Sequence, residues 1–74
     1  MFVIKEAADR GEGLLGPRFD SAAEAHYYLL KHMRRRYRHR GYDESQRVYW
    51  GRQGAQETET LFRVVRHSRG DAGH

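Results

Sequence analysis

From Ser21 to Arg40 no glycine or proline interrupts twenty consecutive residues. Ser21-Ala22-Ala23-Glu24 opens the stretch as a capping box, in which the Ser hydroxyl takes the third-residue amide and the Glu reaches back to the Ser amide. Phe19 stands where it can pack on the first turn, and Gly41 stands where a left-handed C-terminal cap belongs. The segment therefore predicts one helix of about 20 residues, roughly 30 Å long. At 100° per residue, Ala22, His26, Leu29, Leu30, Met33 and Tyr37 share one face. Lys31, Arg34, Arg35 and Arg38 share the opposite one, while Arg36 and Arg40 return to the apolar side and must snorkel around its edge.

The rest of the chain reads as strands and turns. Phe2-Val3-Ile4 begins a β-prone run ending near Ala7, and residues 47–52 and 58–66 form two more, joined by a hairpin loop over residues 53–57. Residues 11–17 hold three of the eight glycines and the one proline, which predicts a loop or wide hairpin. Within it, Leu14-Leu15 either tucks under the sheet or forms a brief second strand. The expected fold is α+β: a three-stranded antiparallel sheet of β-α-β-β order, with the first strand beside the last and one long amphipathic helix across one face. With Val48, Trp50, Phe62 and Val64 facing the helix, Tyr49, Leu61 and Val65 fall on the outer face. That is more apolar surface than a small monomer normally shows, and it suggests a protein-interaction or homodimerisation surface.

Size limits the possibilities. Seventy-four residues make one domain, expected over residues 1–67, with residues 68–74 as a flexible tail. There is no cysteine, so no disulfide and no thiolate zinc site, and a reducing cytoplasm is the simplest compartment. No apolar run approaches the ~20 residues of a membrane span, and the N-terminus does not resemble a signal peptide.

Charge is unevenly placed. Residues 1–30 carry three basic and five acidic side chains, whereas residues 31–74 carry eleven basic and five acidic. Residues 31–40 alone hold six of the fourteen Lys and Arg with no acid among them. A block of this kind points to an anionic partner, most often the backbone of DNA or RNA. Lys31, Arg34, Arg35 and Arg38 are the candidate phosphate contacts, with Tyr27 and Tyr28 beside them as candidate stacking groups. A solvated helix face, or a surface for an acidic protein, would carry the same block. Against simple solvation, exposed helices usually mix signs through i,i+4 pairs, whereas Lys31/Arg35 and Arg34/Arg38 are like-charged.

Chemistry beyond binding finds no motif. His26, His32 and His39 are spaced six and seven apart, which does not give the i,i+4 pair that chelates a metal. Ser45 and Ser68 lack a nucleophile elbow, and Gly11-Glu12-Gly13 lacks the further glycine of a dinucleotide loop. No catalytic residue, metal, cofactor or small-molecule substrate is expected. Trp50-Gly51-Arg52, followed by Gln53-Gly54, resembles the signature of WGR domains, which occur in DNA-damage-related proteins that bind nucleic-acid ends. The frame of Phe19, Asp20, Ser21, Ala25, Gly41 and Tyr42 is similar to the helix that closes those domains. In that family the tripeptide precedes the helix, and here it follows, so no functional residue is carried across. Read from the residues alone, Trp50 is a core anchor and Gly51 marks a bulge.

Overall fold

The computed structural model describes residues 1–54 and 56–67. The chain forms β1 (Phe2–Ala8), β2 (Gly11–Phe19), α1 (Ala22–Arg36), β3 (His39–Asp43), β4 (Val48–Arg52) and β5 (Thr60–Arg66). The strands make a single antiparallel sheet in the order β2-β1-β5-β4-β3. This corrects the expected three-stranded sheet to five strands, with the additional two at its edges. The expected tail, residues 68–74, lies outside the described residues. Among those described, no helix is long and apolar enough to cross a membrane.

β2 is the Gly/Pro-rich segment that reads as a loop or wide hairpin, and it is the hairpin that forms. It pairs with β1 through a two-residue turn, Ala8 opposite Gly11. The register shifts between Phe2 and Ile4, whose partners are Phe19 and Leu15. Gly16 sits in that irregular stretch at φ +72°, a backbone region that an L side chain enters only at a cost, and Tyr28 packs directly against it. Pro17 is tolerated because β2 is an edge strand, where a missing N–H breaks no ladder bond. The two leucines part company. Leu15 faces the helix and packs on the core, while Leu14 stays 61% exposed and does not cover the second face.

The helix begins as its sequence predicts, with Ser21 Oγ accepting the Glu24 amide at 3.2 Å. Its end is a correction: it stops at Arg36, four residues short of Arg40. Tyr37 leaves the helix in extended conformation, φ −123° and ψ 131°, after its N–H donates the last helical bond to Met33 O at 2.9 Å. The carbonyls left open by that exit are taken by side chains. Gln53 Nε2 donates to Arg36 O, and Arg40 Nη1 donates to Tyr37 O at 3.1 Å.

The Tyr37 ring lies on Gly51, where a Cβ would come within 2.7 Å of its ring carbons. It meets Phe62 at 5.8 Å and His32 at 6.2 Å between ring centroids, both edge-on. The chain then turns into β3, which pairs with β4 in unbroken register from His39↔Arg52 to Asp43↔Val48.

The core is one cluster between helix and sheet: Ile4, Phe19, Ala25, Leu29, Met33 and Phe62. Ala25, Leu29 and Met33 recur every four residues as the buried seam of α1, and Leu30, expected on that seam, is 48% exposed at its rim. The helix packs on β1, β2 and β5. Because Tyr37, just past the helix, packs on Gly51, which has no side chain, that glycine sets how closely the helix end can dock. Gly51→Ala is therefore expected to lower stability by about 1–3 kcal/mol through overpacking against Tyr37. Urea denaturation followed by circular dichroism measures this, and an unchanged midpoint would contradict the docking.

Candidate nucleic-acid interface

The earlier end of the helix redraws the basic ridge. Lys31, Arg34 and Arg35 project from α1, exposed to solvent and lining a shallow depression together. Arg38 lies past the helix, in the turn between α1 and β3, and is exposed. The only ion pair among the described residues is Arg52 to Glu59, 3.1 Å apart at the far end of β4. Lys31, Arg34, Arg35 and Arg38 thus have no acidic side chain within bridging distance among the described residues.

Tyr27 and Tyr28 have different roles. Tyr27 is 65% exposed, one turn before Lys31, whose Nζ stands 5.3 Å from the ring centroid as a cation–π contact. Tyr28 is held by the fold: its ring meets Phe19 at 5.2 Å and covers Gly16. Both expected stacking groups reach solvent, Tyr27 more than Tyr28, which is 38% exposed. A groove of ≈ 460 Å³ runs along this side of the helix, lined by Phe19, Glu24, Tyr27, Tyr28, Lys31, His32 and Arg35. The groove brings two tyrosine rings and two cations together, with Glu24 at its N-terminal end.

His32 forms the inner wall of that groove. Its ring meets Phe62 at 5.9 Å. Burial pushes its pKa below 6.5, Glu6 opposes that shift, and Arg36 adds to it. His26 instead lies over the sheet, with Nδ1 2.9 Å from the Tyr49 hydroxyl. His39 is in β3, so the three histidines do not gather. Among the described residues no group of three or more His, Asp or Glu could hold a metal ion.

The expected outer-face trio splits. Tyr49 pairs with Phe62, and directly opposed residues of an antiparallel pair share a face, so Tyr49 is on the helix side. It packs on the core and meets the Tyr42 ring at 4.7 Å. Burial, aided by Tyr42, pushes its pKa upward. Leu61 and Val65 do lie on the outer face, half-buried, with Leu61 opposite Trp50. There Lys5 and Arg63 sit directly opposite each other on neighbouring strands and divide the apolar stripe.

Trp50-Gly51-Arg52 has a structural account within this fold. Trp50 covers Gly41 on the outer face, Gly51 receives Tyr37 on the inner face, and Arg52 lies 5.3 Å over the Trp50 ring while pairing with Glu59. No protein-family model matches the chain, and no curated protein or solved structure matches it either. The resemblance to WGR domains accordingly rests on that tripeptide and the short frame alone.

A histidine whose folded pKa is depressed contributes stability that is complete above its unfolded value and is lost as pH falls through its folded one. The protein is expected to lose stability on acidification below pH 6.5, with His32→Gln losing less over the same range. Thermal melts across neutral to mildly acidic pH compare the two. An NMR titration of His32 with a midpoint above 6.5 would contradict the assignment.

Proposed function

We propose that the protein is a small non-catalytic module that binds nucleic acid through its phosphate backbone. Lys31, Arg34 and Arg35 supply the contacts, Arg38 adds charge beyond the helix end, and Tyr27 stacks on unpaired bases. The observation that carries this reading is a helical face with three neighbouring cations and no acidic partner among the described residues. Like charges one turn apart repel and destabilise an isolated helix, and an array of phosphates relieves that repulsion. Arginine forks match phosphate oxygens in geometry as well as charge. A cysteine-free chain suits a reducing, cytoplasmic setting.

Readout of base sequence is not part of the proposal, since no Asn or Gln stands among these side chains to form a bidentate pair with adenine. A protein-docking role draws on a different observation, the half-buried Leu61 and Val65 on the sheet face without a helix. The paired Lys5 and Arg63 charges interrupt that face, and Tyr49 is absent from it, which leaves this reading second.

Fluorescence anisotropy with labelled single- and double-stranded DNA and RNA, at several salt concentrations, tests the proposal. Three or four phosphate contacts predict a log–log salt slope of about −3 to −4 on duplex DNA. The Lys31→Glu, Arg34→Glu, Arg35→Glu triple variant is expected to abolish binding with an unchanged circular dichroism spectrum, because all three side chains lie outside the core. Tyr27→Ala is expected to weaken single-strand binding by about 1–3 kcal/mol and duplex binding much less. Wild-type affinity in the triple variant, or binding insensitive to salt, would contradict the ridge as the working surface.

A further inference from the structure

The two edges of the sheet are built differently. β2 is blunted by its register shift, by Gly16 and by Pro17, which has no N–H to offer. β3 has no proline and no bulge. It pairs with β4 residue for residue and, among the described residues, leaves the N–H and C=O groups of its other side without a strand. An edge of this kind is a template for another strand.

The sequence along that edge indicates which strand fits it. Arg38-His39-Arg40-Gly41-Tyr42-Asp43-Glu44, which is β3 with one residue on either side, is basic at one end and acidic at the other, with Gly41 at its centre. Turned end for end, the segment complements itself. Paired antiparallel about Gly41, Arg38 of one copy meets Glu44 of the second, His39 meets Asp43, and Arg40 meets Tyr42. Parallel pairing would set each of these charges against its own kind, and pairing centred on Arg40 would oppose two guanidinium groups. The centre at Gly41 sets Arg38 against Glu44 on both sides of the two-fold axis, while the Asp43 carboxylate stays bonded to Ser45 and Gln46 of its own turn.

The surroundings of β3 agree. Helix α1 packs on β1, β2 and β5 and leaves an open groove of ≈ 290 Å³ on the β3 side, lined by Leu30, Met33, Arg34, Arg40, Tyr42 and Tyr49 among others. Leu30 and Tyr42 are each 48% exposed there, an apolar rim at the edge where a second copy would arrive. Arg40 and Tyr42 share the helix-facing side, so the pairing sets the guanidinium of each copy beside the phenol of the other.

We propose that the protein forms a two-fold dimer in which β3 pairs antiparallel with β3 of a second copy, centred on Gly41, so that the two sheets become one. Opposed residues share a face, so both helices lie on the same side of the joined sheet. If the nucleic-acid reading holds, the two ridges of Lys31, Arg34 and Arg35 then face the same way and can engage one long polyanion together. Arg38 is drawn to Glu44 of the second copy and leaves the phosphate-binding set.

Sedimentation equilibrium of the full chain, without nucleic acid, tests the dimer separately from the ridge. The wild type is expected to dimerise reversibly. Glu44→Arg places two arginines opposite each other at both symmetry-related positions, and about tenfold or greater weakening is expected. Combining it with Arg38→Glu reverses both charges and is expected to restore the dimer. Both side chains are exposed, so folding is retained and circular dichroism checks it. A wild type that stays at its monomer mass of 8.7 kDa at millimolar concentration would overturn the proposal. Dimerisation unaffected by Glu44→Arg, or not restored by the double reversal, would do the same, and none of these results would bear on the ridge.

Discussion

The docking of Tyr37 on Gly51 decides most of what this chain becomes. A helix with good formers on either side of its end does not stop without cause, and no glycine stands there to stop it. What ends it is a better use for the next residues. In extended conformation Tyr37 buries its ring against Phe62 and His32 over a strand position without a side chain. Gln53 and Arg40 then satisfy the carbonyls that the exit leaves behind. Once Tyr37 is placed, residues 39–43 lie beside β4 and gain five in-register partners as a strand. The sequence itself allows the helix to run on through residues 37–40, which would take an edge from the sheet and add a turn to the ridge.

Local signals foretold the local structure. The Ser21 cap, β1, β4 and β5 were legible because each is written in a few adjacent residues: a hydroxyl followed by Glu24, or a run of β-branched and aromatic side chains. The two further strands are harder to read, β2 being open as a hairpin and β3 hidden within the expected helix, for opposite reasons. β2 looks like a loop because Gly11, Gly13, Gly16 and Pro17 are turn formers, yet all are acceptable on an edge strand closed by a two-residue turn. β3 looks like helix because nothing within residues 37–40 forbids it, and the competing force comes from Gly51 and Gln53, more than ten residues away. Tertiary pairing overrode propensity in both cases.

The candidate site was legible to the same degree. Helical periodicity is enough to put Lys31, Arg34 and Arg35 on one outward face, whatever the helix packs against. Arg38 depended on where the helix stops, and Tyr28 on a packing partner, Gly16, in a segment read as loop. Alternation along β4 puts Tyr49 on the outer face, because Val48 and Trp50 look like its core pair, whereas the structure has Tyr49 on the helix side. The missed signal was Gly51, which shares a face with Tyr49: a glycine in mid-strand marks the close approach of another group, and that group comes from the helix side. The cationic ridge and the β3 edge are therefore products of one event. Ending the helix at Arg36 leaves Lys31, Arg34 and Arg35 together on one face of α1 and releases Arg38 and His39 to the basic end of the β3 segment.

Backbone secondary chemical shifts across residues 31–43 test that event most directly. Helical Cα and Cβ shifts are expected through Arg36 and extended shifts at Tyr37 and from His39 to Asp43, with cross-strand contacts between His39 and Arg52. Helical shifts continuing through Arg40 would contradict the early exit, removing β3 and with it both the open edge and the separation of Arg38 from the ridge.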